Sequence, residues 1–193
     1  VAFVLADSAT KVLVAENAEQ LEKLEGQDLP ALERVVGIDV AGRDGTLADV
    51  EKEGWEFAAE QPDALALAAA DVGPDDVLTF LYTSGTTGNP KGCILSQRNY
   101  VAMVDSVVAV DDLFRPEDSA LLFLPLAHNF ARLIQFTNAS VGYTLAFCAD
   151  VRNVTNGLGK LRPTLFPSVP RVYEKIHAAV EQQLFELRHG EGI

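Results

Sequence analysis

Apolar and polar positions alternate along this chain in short blocks, and the period switches repeatedly between that of a strand and that of a helix. The opening Val-Ala-Phe-Val-Leu-Ala-Asp reads as the back end of a helix. Lys11-Val-Leu-Val-Ala-Glu16 predicts a short buried strand, Ala18 to Leu29 a helix ending before Pro30, and Arg34 to Asp39 a second strand followed by a Gly42/Gly45 turn. Leu47 to Gly54 and Pro62 to Asp71 predict weaker helices, and Gly73-Pro74 breaks the pattern. Strand formers return from Asp76 to Tyr82 and from Cys93 to Ser96, before a helix from Arg98 to Leu113 capped by Ser96 or Asn99. The second half predicts strands at Ser119 to Pro125, Tyr143 to Cys148 and Pro163 to Val169. Between and after them come helices at His128 to Val141, Val154 to Leu161 and Pro170 to Leu187, the last opened by proline in its first turn. Alternation of this kind predicts an α/β fold built on a largely parallel sheet. No repeat, low-complexity tract or linker divides the chain, so residues 1–193 read as a single partial domain.

Composition narrows the function classes. Hydrophobic residues make up 48% of the chain, enough for a packed core rather than a disordered segment. No apolar run approaches the roughly 18 residues that a membrane-spanning helix needs. Fifteen basic against 28 acidic side chains leave a net charge of −13, a field that repels phosphodiester backbones and argues against a nucleic-acid partner. The excess acid concentrates in residues 16 to 76, where Glu16, Glu19, Glu22, Glu25 and Asp28 read as a solvated helix face. Cys93 and Cys148 share no metal or redox spacing and read as reduced core residues of a cytoplasmic protein.

The candidate chemistry is concentrated in residues 82 to 92, Tyr-Thr-Ser-Gly-Thr-Thr-Gly-Asn-Pro-Lys-Gly. Thr83, Ser84, Thr86 and Thr87 surround Gly85 and Gly88, and Lys91 follows. Glycine allows backbone N–H groups to converge on an anion, hydroxyls add donors, and lysine adds a mobile charge. The spacing fits neither G-x-x-x-x-G-K-[ST] nor G-x-G-x-x-G. On residue types alone, a Gly/Thr-rich turn joining two strands is the other reading.

The whole stretch resembles the phosphate-binding motif of adenylate-forming enzymes, the group of acyl-CoA synthetases, luciferases and adenylation domains. The resemblance implies the layered N-terminal domain of that group, with Thr83, Ser84, Gly85, Thr86, Thr87, Gly88 and Lys91 binding the ATP phosphates. Leu124-Pro-Leu-Ala-His-Asn-Phe130 resembles the segment whose histidine or aromatic residue borders the bound carboxylate, which implies a catalytic-site role for His128. By itself His128 reads equally as a helix-capping or packed histidine. Phe130 and Arg132 are candidates for the same pocket, and Ile134, Phe136, Gly142, Tyr143 and Leu145 fit an acyl channel or plain core. Val169-Pro-Arg-Val-Tyr-Glu-Lys-Ile176 resembles the long-chain acyl-CoA synthetases in particular. Arg171 and Tyr173 there read as structural anchors.

The resemblance implies ATP-dependent conversion of a long-chain fatty acid to its adenylate and then to its CoA thioester. ATP, Mg²⁺ and CoA would be the cofactors and co-substrates, and the fatty acid the small-molecule partner. In the family the glutamate that helps hold Mg²⁺, the ribose-binding aspartate and the lysine of the small C-terminal domain lie downstream of this segment. The expectation is therefore an internal fragment, inactive alone and prone to self-association, of a cytoplasmic enzyme peripherally associated with membrane at most. The alternatives are a ligase for another carboxylic acid and a non-catalytic binding domain.

Overall fold

The computed structural model describes residues 1–83 and 88–189. They form two compact units, Val1–Asn99 and Tyr100 onward, each with its own strands and helices.

The first unit opens with helix α1 (Ala2–Asp7), which buries Leu5, and strand β1 (Val12–Ala15). Helix α2 (Ala18–Glu22) is capped by the Asn17 side chain, which accepts from the Gln20 N–H. It stops well short of the Leu29 its sequence predicts. Its last turn carries acid and no base, against the helix dipole, and Gly26 takes a left-handed φ of 67° soon after. Strand β2 (Arg34–Gly37) pairs in parallel with β1, and here Val35 and Val36 are buried. β1 is not the buried strand expected, since only Ala15 is covered.

Helix α3 (Leu47–Glu60) runs past Gly54, where the pattern ended, and a capping box secures its start. Thr46 Oγ1 accepts from the Asp49 N–H, and Asp49 Oδ2 accepts from the Thr46 N–H. Helix α4 (Ala64–Ala70) follows. Strands β3 (Val77–Thr83) and β4 (Lys91–Ser96) form an antiparallel pair, so the hydroxyl-rich segment joins the two strands of a hairpin. No residue of β3 or β4 is fully buried. Cys93 is likewise exposed on β4, not a core residue, while Cys148 is half-buried.

Helix α5 (Gln97–Val108) starts where Asn99 Oδ1 accepts from the Ser96 N–H, so Asn99 is the capping side chain. In the second unit β5 (Ser119–Leu122) pairs in parallel with β6 (Thr144–Phe147), and α6 (Asn129–Val141) connects them. This strand–helix–strand unit carries the core. Leu121, Phe123 and Val154 pack on one side, and Leu122, Ala131 and Ile134 on the other. A strand buried on both faces reads as a continuous apolar run, as Ala120 to Phe123 does.

Helix α7 (Val154–Leu161) matches its predicted span. The strand expected at Pro163 to Val169 is reduced to one bridge, Ala120 to Leu165. Pro163 and Pro167 lack the N–H groups a longer ladder needs. Helix α8 (Pro170–His189) is anchored at its first turns, where Val172 packs into the core and the Tyr173 hydroxyl donates to the Phe166 carbonyl. Tyr173 is thus a structural anchor, as its sequence context suggested. Across the described residues, two of the three two-stranded sheets are parallel.

Candidate functional site

The hairpin places the ends of the phosphate-loop motif. Thr83 and Lys91 form the last register pair of the β3–β4 ladder, directly opposite one another, and Tyr82 stands opposite Gly92 just behind them. Thr83 and Lys91 thus form the neck of the hairpin, its last paired positions. Ser84, Gly85, Thr86 and Thr87 lie outside the described residues. Gly88 takes a φ of 99°, a conformation in which any side chain would be strained. Pro90 then fixes the entry to β4 without offering a donor. Thr83 and Lys91 are both exposed.

In the second unit, β5 ends at Leu122 and the chain turns through Pro125 into α6. His128 is the N-cap of that helix, with extended backbone (φ −96°, ψ 138°). Its N–H donates to the Pro125 carbonyl at 2.9 Å and its carbonyl accepts from the Arg132 N–H at 3.3 Å. The imidazole makes no capping hydrogen bond, and the residue is exposed at the carboxyl end of β5. The capping role belongs to the backbone at this position and not to the imidazole. Arg132 turns its Nε back onto the Leu126 carbonyl at 2.5 Å, bracing this turn. Tyr100 secures the next residue, its hydroxyl 2.6 Å from Asn129 Oδ1.

From Phe130, on the first turn of α6, an apolar groove of about 330 Å³ extends along Leu133 and Ile134 to Phe114, Leu165 and Phe166. Sequence reading proposed Phe130 and Ile134 for such a surface. It missed Phe114 and Phe166, which come from loops distant along the chain and carry no periodic signal. The floor is rigid. Phe114 stacks on Tyr143 at 5.4 Å, and the Tyr143 hydroxyl donates to the Ile134 carbonyl at 2.6 Å. Burial pushes the Tyr143 phenol up to about 12. Leu145 packs beneath Leu122 and Ile134 as core.

A second groove of about 360 Å³, in the first unit, is lined by Leu21, Leu24, Leu32 and Arg43 and includes no residue of either motif. Among the described residues no group of three or more His, Cys, Asp or Glu side chains could hold a metal ion. No helix among them is long and apolar enough to cross a membrane.

The first unit carries the hairpin whose strands flank the hydroxyl- and glycine-rich segment, the second carries the helix N-capped by His128 beside an apolar groove, and both are of the α/β class. The chain belongs to the AMP-binding enzyme family, which matches residues 1–191. It is 38% identical over 186 residues to the long-chain-fatty-acid–CoA ligase FadD15 of Mycobacterium tuberculosis, covering 94% of this chain and 30% of that protein. Among solved structures, it is similar to the N-terminal domain of FACL13 from M. tuberculosis, in an inhibitor-bound form. That likeness has a TM-score of 0.63 and 27% identity over 89% of this chain and 40% of the other. The long-chain-fatty-acid–CoA ligase FadD1 of Archaeoglobus fulgidus shares the fold, with a TM-score of 0.71 and 22% identity over 94% of this chain and 34% of that one. The chain thus spans about a third of the length of such relatives.

Proposed function

We propose that this chain supplies the ATP phosphate-binding loop and the acyl-facing segment of an AMP-forming long-chain fatty acid–CoA ligase. The observation that carries the reading is the hairpin neck, with Thr83 opposite Lys91, in a chain of the AMP-binding family. Thr83, Ser84, Gly85, Thr86, Thr87, Gly88 and Lys91 hold the β- and γ-phosphates of ATP. His128 borders the fatty carboxylate, and the groove that begins at Phe130 takes the alkyl chain. The apolar lining favours a long chain over an amino acid, whose charged ammonium would be left without a partner there.

The first half-reaction joins a carboxylate oxygen to the α-phosphorus of ATP as the bond to the bridging oxygen breaks and pyrophosphate leaves. The CoA thiol then attacks the acyl carbonyl, and AMP leaves with the former carboxylate oxygen. The barrier is electrostatic, since an anion must approach a polyanion within a protein of net charge −13. Preorganised donors and one positioned cation lower it locally. Bound Mg²⁺ would neutralise further phosphate charge. The need for a free CoA thiol suits the reducing cytoplasm.

In the complete natural polypeptide that carries these residues, Lys91→Ala and Thr86→Ala should each slow acid-dependent pyrophosphate exchange. Loss of a charge-assisted contact worth about 1.5–3 kcal/mol corresponds to roughly ten-fold or more. Wild-type exchange in both variants would remove the phosphate assignment.

A further inference from the structure

The neck of the phosphate loop is tied to a helix far away in sequence. The Tyr82 hydroxyl donates to Asp7 Oδ2 at 2.7 Å, across 75 residues, and so links the last pairs of the β3–β4 hairpin to the end of α1. The Tyr82 ring at the same time lies against Gly92. A Cβ built on Gly92 would stand 3.0 Å from Tyr82 Cζ, 3.2 Å from Cε1 and 3.3 Å from the hydroxyl oxygen, close enough to press the ring out by a few tenths of an ångström.

Two further observations separate this contact from incidental packing. The hairpin has two strands, neither fully buried anywhere, so little else fixes its far end. Asp7 also sits at the C-terminal end of α1, where a carboxylate opposes the helix dipole, so helix stability does not account for it. That end is itself held. Ser8 Oγ donates to the Val4 carbonyl at 2.7 Å and lies 2.7 Å from Thr10 Oγ1.

We propose that Tyr82, braced by Asp7 and seated on Gly92, is a positioning residue that holds the neck of the phosphate loop in register for the nucleotide. The inference rests on the proposed ATP-binding role of the loop. Lys91 directly precedes Gly92, so a shift of the ring carries the lysine with it. Displacements of about 1 Å at a positioned group can cost on the order of a hundred-fold in rate.

The test uses the complete natural polypeptide, with ATP affinity from calorimetry and separate KM values for ATP and palmitate. Tyr82→Phe and Asp7→Ala should each weaken ATP binding about ten-fold and raise the ATP KM alike, leaving the palmitate KM unchanged. The double variant should be no worse than either alone. Asp7→Asn, whose amide oxygen still accepts from the phenol, should stay within about two-fold of wild type. Unchanged ATP affinity in Tyr82→Phe and Asp7→Ala, with binding lost in Lys91→Ala, would overturn the brace and leave the loop assignment standing. Unchanged affinity in Lys91→Ala as well would overturn both. Equal weakening of ATP and palmitate would mark a general structural role and also refute the proposal.

Discussion

Gly92 and Tyr143 show how much single positions carry. The ring of Tyr82 occupies the space a side chain at Gly92 would need. Gly92→Ala should therefore weaken ATP binding in the wild-type background and have little effect once Tyr82 is replaced by Ala, a non-additivity that a double-mutant cycle reads directly. Tyr143 stacks on Phe114, which lines the apolar groove, and its hydroxyl satisfies the Ile134 carbonyl. Tyr143→Phe should cost about 0.5–1.5 kcal/mol in denaturant unfolding. The same phenol gives a pH signature. Its folded value is raised from 10.0 to about 12, so its contribution is fully present below pH 10 and is lost as pH rises towards 12. Tyr143→Phe should flatten that part of the alkaline stability curve. Asp118 works at the other end. The Thr164 hydroxyl and then the Arg115 N–H hold its carboxyl below the usual range, so its stabilisation is lost as pH falls through the acid region. At this scale the sequence was legible where residue type implied backbone geometry, as at Gly88 with its φ of 99°. The partnership of Tyr82 with Asp7 was not, because nothing in either local pattern points across such a separation.

Among the elements, α3 and the β3–β4 hairpin are the informative cases. α3 buries none of its residues, so its capping box matters more than packing does. Thr46→Ala should destabilise the first unit by about 1 kcal/mol, measured by urea unfolding. Helices with a proline start, a cap or a clear apolar stripe were readable from the sequence, and α7 and α8 lie close to their predicted spans. α2 fell short because an acidic last turn and a left-handed Gly26 are energetic effects that periodicity does not register. The hairpin shows a different limit. Residues 76 to 96 read correctly as two strands around a loop, but their antiparallel pairing was hidden behind the general α/β alternation. The strand predicted at Pro163 to Val169 failed for want of N–H donors, and one bridge survives. His128 stands at the start of a helix after β5, where its sequence predicted it. Its neighbouring groove draws on Phe114 and Phe166, which only the fold brings to it.

For the molecule as a whole, net charge and exposed apolar surface pull in opposite directions. The charge of −13 favours solubility and keeps polyanions away, which is why one lysine at the loop neck carries so much of the proposed ATP recognition. Yet Trp55 is 78% exposed and Leu65 83%, and Ile176, Val180 and Leu184 leave an uncovered stripe along α8. We expect these 193 residues in isolation to self-associate in sedimentation, whereas a single monomeric species would count against that. The most direct measurement is ATP-dependent activation of palmitate in the complete natural polypeptide, wild type beside Lys91→Ala, reading palmitoyl-AMP and palmitoyl-CoA by mass spectrometry. Both products in the wild type, and at least ten-fold less adenylate in the variant, are expected if the loop holds ATP for acyl activation. Neither product in the wild type, with other carboxylic acids equally inert, would contradict the proposed ligase.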